Sequence, residues 1–209
     1  MELQTVHLFL PESFTDLEPA FVVLALNSPP WPTLTRRFQV QTVAESSAPV
    51  TTAGGVTILP DLTLEDLHPS KSAMLILPGS GAWAEGKHVA AIERANAFLA
   101  ADVPVAAICG ATIGLANAGL LNERQHTSNV PQYLLVPNYQ GGAHYQDQPA
   151  VTDGNLITAS GIAPVDFAFQ ILAKLGAYPS PVLDAWYHMY KFGDPAYYFT
   201  LGKAAETTS

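Results

Sequence analysis

The only cysteine of this chain lies where a nucleophile is often found. Cys109 ends the apolar run Val105–Ile108 and is followed at once by small residues at 110–119 that are typical of a helix. A cysteine at such a strand-to-helix turn lies near unpaired helix N–H groups and the positive end of the helix dipole, which favours the thiolate. This position predicts a reactive thiol with a lowered pKa. The alternative is a small buried hydrophobic residue, the usual fate of a free cysteine.

Two acidic residues, Asp16 and Glu18, open a predicted helix after the first strand. A carboxyl group beside a thiolate keeps its proton more readily, because two negative charges at close range disfavour each other. The protonated carboxyl can then donate a hydrogen bond to the sulfur and pass a proton to a substrate. The alternative is that both acids simply complement the helix dipole in the first turn.

A glycine-rich loop supplies the third chemical element. Pro78-Gly79-Ser80-Gly81 follows an apolar strand, and a main-chain N–H of this loop can hold a developing oxyanion together with the N–H of Gly110. The loop lacks the glycine pattern and the lysine of phosphate-binding loops, so it does not indicate a nucleotide site. It can also be a simple turn.

Six histidines are present, and none has a neighbour at the spacing of metal ligands on a helix. We therefore expect neither a metal nor a cofactor. His126 follows the small-residue helix and is the candidate general base, although a solvated or structural role is the alternative. No G-x-S-x-G motif is present, which argues against a serine hydrolase.

The elements that must position these residues alternate between apolar strands and helices, which predicts an α/β fold with a mostly parallel sheet. Ligands of such sheets bind beyond the carboxyl ends of the strands, where the three segments above are expected to meet. The predicted strands are 6–10, 38–43, 56–59, 73–77 and 105–108, the helices are 16–26, 88–101 and 164–175, and 150–158 reads as a hairpin.

Composition limits the classes of partner. The formal net charge of −9 argues against nucleic acids and anionic membranes as partners. We find no signal peptide and no apolar run of about 18 residues, so a cytoplasmic location with a reduced thiol is expected. Residues 1–209 are expected to form one domain with an aromatic C-terminal extension at about 180–205. That extension and the region of Trp31 are candidate contact surfaces or covers of the core.

The ordered set of motifs resembles the PfpI-type superfamily, which includes the parkinsonism-associated deglycase and intracellular proteases. The segments that carry the resemblance are Phe-Thr-Asp-Leu-Glu at 14–18, Leu-Pro-Gly-Ser-Gly at 77–81, Ile-Cys-Gly-Ala-Thr at 108–112 and Asp-Gly-Asn-Leu-Ile-Thr-Ala-Ser-Gly at 153–161. The resemblance implies a flavodoxin-like three-layer sandwich of the class I glutamine amidotransferase type, with helices on both faces of the sheet. It further implies a nucleophile elbow at Cys109, Glu18 as its hydrogen-bonding acid, the N–H groups of Ser80 and Gly110 as the oxyanion site, and a homodimer.

Two departures from the superfamily narrow the expected activity. Gly110 stands where the intracellular proteases carry a histidine after the cysteine, and the His-x-Glu of amidotransferases is missing near the chain end. Protease activity and glutamine amidotransferase activity are therefore both disfavoured. Register places Ser128 or Asn129, and not His126, nearest to the histidine of the deglycase-like members.

The expected function is a cysteine-dependent hydrolase or lyase for a small-molecule substrate, a carbonyl or amide compound, of glyoxalase, deglycase, amidase or hydratase type. The first alternative is a stress or redox sensor in which Cys109 is oxidised. The second is a binding protein that keeps the elbow only as a scaffold.

Overall fold

The computed structural model describes residues 3–29 and 36–206. The candidate contact surface at Trp31 lies outside the described residues. The strands are β1 (Leu3–Phe9), β2 (Arg37–Ala44), β3 (Val50–Thr51), β4 (Thr57–Ile58), β5 (Leu62–Thr63), β6 (Met74–Leu77), β7 (Val105–Ile108), β8 (Ala150–Asp153) and β9 (Leu156–Ala159). The helices are α1 (Leu17–Asn27), α2 (Val89–Ala100), α3 (Ala111–Asn117), α4 (Pro164–Leu175), α5 (Ser180–Phe192) and α6 (Ala196–Glu206).

Seven of these strands form one sheet in the order β5-β2-β1-β6-β7-β9-β8. All neighbours are parallel except β8 and β9, which form the antiparallel hairpin predicted around Asp153 and Gly154. Strands β3 and β4 pair separately as a small antiparallel hairpin. The predicted flavodoxin-like α/β fold with a mostly parallel sheet is confirmed.

The central strands are buried on both faces, which explains why they read as continuous apolar runs. Successive side chains point to opposite faces of a strand, and β6 shows this directly. Met74 and Ile76 belong to one hydrophobic cluster, whereas Leu75 and Leu77 belong to the other. The cluster on the first face includes residues of α1, α4 and α5, and the cluster on the second includes residues of α2 and α3. These are the two outer layers of the sandwich.

The C-terminal helices cover the first face. Trp186 of α5 is only 1% exposed, and its ring lies 6.4 Å from that of Phe21 in α1. Lys191 forms a 2.6 Å ion pair with Asp166 at the start of α4, and Tyr187 donates a 2.9 Å hydrogen bond to the same carboxylate. The aromatic tail therefore contains a covering element of the core.

The described residues lack a membrane-spanning helix and a cluster of metal ligands. No described helix has the length and apolar character needed to cross a lipid bilayer. In the same part of the chain, no three side chains of the metal-ligating types His, Cys, Asp and Glu come together in a group that could hold a metal ion.

Candidate active site

Cys109 occupies a sharp turn between β7 and α3. Its φ of 56° lies in the left-handed region, which is uncommon for any residue other than glycine and stores strain of about 1–2 kcal/mol. The turn is held from both sides. The N–H of Cys109 donates to Ala159 O of β9 at 3.0 Å, and the hydroxyl of Thr112 donates to Cys109 O at 2.6 Å. The sulfur is therefore presented at the carboxyl end of the sheet.

Gly110 is required by the close packing of the next loop. A Cβ atom at this position would lie 2.5 Å from the main-chain oxygen of Ser80 and 3.2 Å from Cδ1 of Trp83. The contact with the main chain cannot be relieved by a rotamer change. A histidine directly after the cysteine is thus sterically incompatible with this arrangement of the two loops.

Glu18 lies in the first turn of α1 and points into the sheet edge. It is 1% exposed, and its Oε2 accepts a 2.5 Å hydrogen bond from the N–H of Gly79. A methyl group on Gly79 would lie 2.7 Å from Cβ of Cys109 and 2.9 Å from both carboxyl oxygens of Glu18. The acid and the thiol are therefore brought together across this glycine.

The other acid of the turn faces elsewhere. Oδ2 of Asp16 accepts a 2.8 Å hydrogen bond from the N–H of Gly54, in the turn between β3 and β4. A hydrogen bond from Thr52 lowers the pKa of Asp16. Asp16 thus ties the hairpin to α1 and is not part of the cysteine site.

Two main-chain N–H groups face the site. The N–H of Gly110 interacts with the Cys109 sulfur, and the nitrogen of Ser80 lies 3.1 Å from the position of a Cβ on Gly110. Within residues 3–29 and 36–206, neither N–H forms a hydrogen bond to a protein oxygen. The Ser80 hydroxyl is committed, because it donates to Glu12 O at 2.6 Å and accepts from Ala82 N. Of the two donor groups of Ser80, the main-chain N–H and not the hydroxyl is therefore available to an oxyanion.

His126 is not brought to Cys109, which corrects the expectation of a general base. Its Nδ1–H donates to Arg124 O at 2.7 Å, and its Nε2 accepts from the hydroxyl of Tyr139 at 2.8 Å. The imidazole is fully buried and packs edge-on against Tyr139 and Tyr145. Burial lowers the pKa of His126. This histidine has a structural role in the loop that follows α3.

An asparagine occupies the position beside the sulfur. Nδ2 of Asn129 donates to Cys109 Sγ at 3.3 Å, and its Oδ1 accepts a 2.8 Å hydrogen bond from Gly161 N–H. Register from the resemblance placed Ser128 or Asn129 here, and the structure selects Asn129. Gly161 was missed, although the Ser-Gly pair after β9 is a signal of close main-chain approach. A Cβ on Gly161 would lie 2.8 Å from Cys109 Sγ.

Comparison with known proteins gives the family. The sequence profile of the DJ-1/PfpI family matches residues 4–174. The chain belongs to the DJ-1/PfpI family. It is 38% identical over 204 residues to the Bacillus subtilis (strain 168) protein named "uncharacterized protease YoaZ", which covers 96% of this chain and 97% of that protein. A solved ThiJ/PfpI family structure from Bacillus anthracis has a TM-score of 0.92 and 38% identity, and covers 98% of each chain.

More distant relatives have names that state an activity. The isonitrile hydratase of Pseudomonas putida is 29% identical over 138 residues, covering 66% of this chain and 59% of that protein. The Deglycase PfpI of Pyrococcus furiosus is 29% identical over 111 residues, covering 53% of this chain and 66% of that protein.

The electrostatics of this DJ-1/PfpI family protein are set by the buried acid. Burial raises the pKa of Glu18 to about 7, against the lowering effects of hydrogen bonds from Gly79 N–H, the Cys109 thiol and Thr15. Glu18 is therefore poised to hold or release a proton near neutral pH, which suits a general acid–base group.

The thiol does not have the lowered pKa that the strand-to-helix turn predicted. Burial raises the pKa of Cys109, and the charge of Glu18 raises it further, whereas the amide of Asn129 and the N–H of Gly110 lower it. Desolvation and the neighbouring carboxylate thus outweigh the donors. Because the two groups interact, they titrate as a pair, and ionisation of the thiol is favoured when Glu18 holds its proton.

Proposed function

We propose that this DJ-1/PfpI family protein is a cysteine-dependent enzyme acting on small uncharged carbonyl or amide compounds. The observation that carries the proposal is the placement of the Glu18 carboxyl and the Cys109 thiol on either side of Gly79, with the acid buried and its pKa near 7. This supplies a nucleophile and one proton carrier. Two main-chain N–H groups beside them supply an oxyanion site.

For an amide, the reaction follows from these groups. The Glu18 carboxylate accepts the proton of Cys109 Sγ, and the sulfur attacks the carbonyl carbon while the N–H groups of Ser80 and Gly110 hold the oxyanion. Glu18 then returns the proton to the leaving nitrogen as the carbon–nitrogen bond breaks. Water attacks the carbon of the resulting thioester and gives a proton to Glu18. The carbon–sulfur bond then breaks, the acid product leaves, and Glu18 returns the proton to the Cys109 sulfur.

Two features support a small uncharged substrate. The net charge of −9 repels anions over long range. Val130 and Ile162, which directly follow Asn129 and Gly161 in the chain, have exposed apolar side chains. The isonitrile hydratase named among the relatives makes isonitriles one class to test first, and the glyoxalase type of reaction expected from the sequence makes methylglyoxal the other. Peptide cleavage is disfavoured, because Gly110 leaves no room for the histidine of the proteases.

The deciding experiment measures turnover of methylglyoxal, with D-lactate as product, together with an alkyl isonitrile and a panel of small amides. We expect Cys109→Ala to abolish turnover and Glu18→Gln to lower kcat by about 10²- to 10⁴-fold, the usual contribution of a positioned acid–base group. Asp16→Asn is the matched control, because this acid of the same turn binds the hairpin, and its kcat is expected to match the wild type. Turnover that survives in Cys109→Ala, or that is absent with every compound, contradicts the proposal.

Redox sensing is the second candidate. It is favoured by the position of Cys109, a half-buried residue in a chain that has no second cysteine to form a disulfide. Its signature is uptake of two oxygen atoms at Cys109 under mild peroxide in a protein that turns over none of the test compounds. The raised pKa of the thiol acts against fast oxidation, because the thiolate is the reactive form.

We also propose that the protein is a homodimer, as the resemblance implies. The exposed aromatic side chains Phe192, Tyr198 and Phe199 at the C-terminal end offer one contact surface. Dimerisation stays a prediction.

A further inference from the structure

The Cys109 sulfur is bound by an amide where a base would be expected. We propose that Asn129 is a positioning residue that orients the Cys109 thiol and donates a hydrogen bond to the charge on its sulfur, which leaves Glu18 as the group that accepts the thiol proton. The inference rests on the proposed role of Cys109 as nucleophile. It concerns how that nucleophile is prepared when the side chain bonded to its sulfur is an amide.

The orientation of the amide follows from its two partners. The N–H of Gly161 can only donate, so the atom of Asn129 that it contacts at 2.8 Å must be the oxygen Oδ1. The NH₂ group is then the one that lies 3.3 Å from Cys109 Sγ. A rotation of the amide by 180° would place two donors together at Gly161, and is therefore excluded.

Hydrogen bonds to strand β9 and to neighbouring loops fix the loop that carries Asn129. The N–H of Thr127 donates to Thr158 Oγ1 of β9 at 2.9 Å, and the hydroxyl of Thr127 donates to Gln148 O at 2.8 Å. Ser128 Oγ donates to Val130 O at 2.8 Å, and buried His126 anchors the start of the loop. These hydrogen bonds fix the main chain on both sides of Asn129 and so restrict where its side chain can lie.

The chemistry of an amide differs from that of an imidazole in one respect that matters here. The NH₂ of Asn129 has hydrogens to donate and takes up no proton near neutral pH. When the S–H bond of Cys109 breaks, the proton goes to the Glu18 carboxylate, and the electron pair left on sulfur is stabilised by the N–H donors of Asn129 and Gly110. Asn129 acts through the sulfur and opposes the raising effect of burial on its pKa.

The test follows the pH dependence of alkylation of Cys109 by iodoacetamide, measured by mass spectrometry. Since the chain has one cysteine, no other thiol contributes. Asn129→Asp is nearly isosteric and keeps an acceptor for Gly161 N–H, but replaces the donor with a carboxylate. Asn129→Ala removes both contacts. In both variants we expect the midpoint to move to higher pH, and alkylation at pH 8 to slow by about tenfold for every whole pH step that the midpoint rises.

The matched control is Asn122→Ala, whose amide binds the main chain of Asn138 and Gln140 instead of the sulfur. Its midpoint is expected to equal that of the wild type. Circular dichroism establishes that each variant is folded. A midpoint that stays at the wild-type value in either folded Asn129 variant overturns the proposal.

The alkylation test does not require turnover, so the two proposals fail separately. A shifted midpoint in a protein that converts none of the test compounds supports the role of Asn129 and removes the proposed activity. Unchanged midpoints in a protein that does convert a test compound would overturn the role of Asn129 and leave the proposed activity standing.

Discussion

At the scale of single residues, Glu18 has the most unusual environment. A carboxyl group that is 1% exposed normally pairs with a cation, but here its partners are the N–H of Gly79, the Cys109 thiol and Thr15. Burial therefore prevails, and the pKa rises from 4.5 to about 7. The folded protein binds this proton more tightly than the unfolded chain, so stability falls as the pH rises from about 4.5 to about 7.

This linkage is measurable as a difference between wild type and Glu18→Gln. Below about pH 4.5 both folded and unfolded states hold the proton, and above about pH 7 the wild type must bury a carboxylate. We expect the variant to gain about 2–3 kcal/mol in free energy of unfolding relative to the wild type between pH 5 and pH 8, because glutamine does not ionise. Urea unfolding at the two pH values measures it. A constant difference between the proteins would show that Glu18 titrates normally.

At the scale of elements, the site depends on how closely three loops approach one another. The loop after β6 passes between α1 and the elbow after β7. Gly79 and Gly110 have no room for a side chain, because protein atoms already occupy the space that a Cβ would need. Gly81, two residues along the same loop, has nothing within 4 Å of a Cβ position. Within the loop after β6, glycine is therefore required at position 79, beside the acid and the thiol, and not at position 81.

Gly79→Ala and Gly81→Ala form a matched pair that tests this. In Gly79→Ala the new methyl group would lie 2.7 Å from Cβ of Cys109, so we expect a loss of about 1–3 kcal/mol in stability and a lower kcat as the acid and thiol are forced apart. Gly81→Ala is expected to stay within about 0.5 kcal/mol of the wild type. Urea unfolding and turnover are the two measurements. Equal effects of the two substitutions would refute the close approach.

At the scale of the whole molecule, the C-terminal helices complete the core. The family profile ends at residue 174, yet α5 places Trp186 against α1, and Leu201 of α6 is fully buried. The ion pair of Lys191 with Asp166 joins α5 to α4. Without these helices, the first face of the sandwich would expose apolar surface.

Trp186→Ala and Phe199→Ala separate the covering role from the exposed aromatic surface. Trp186 is 1% exposed and Phe199 is 69% exposed. We expect Trp186→Ala to lose about 3–5 kcal/mol of unfolding free energy, as is usual for a buried large aromatic side chain. Phe199→Ala is expected to change it by less than about 0.5 kcal/mol. A small effect of Trp186→Ala on the urea midpoint would mean that the C-terminal extension contributes little to the stability of the core.

Much of the fold was predictable because its signals are local. The helix Pro164–Leu175 has the bounds that its opening proline and the following Gly176 indicate, and β7 coincides with the apolar run before Cys109. The different roles of the two acids were harder to predict. Asp16 and Glu18 are two residues apart, and only their packing shows that one faces the hairpin and the other faces the thiol.

The sequence by itself determined helices α1 to α4, most strands of the central sheet, the turn at Cys109 and the family pattern, because periodicity, turn residues and motif order are properties of the chain. It did not show the short strands β3 and β5 or that the aromatic extension forms helices α5 and α6. The tertiary structure decided the rest. Desolvation and a neighbouring carboxylate depend on what packs around a group, and they reverse the direction of the Cys109 pKa predicted from the helix dipole. Contacts between loops distant in the chain also placed Asn129 at the sulfur and gave His126 its partners in the loop. No local pattern encodes such contacts.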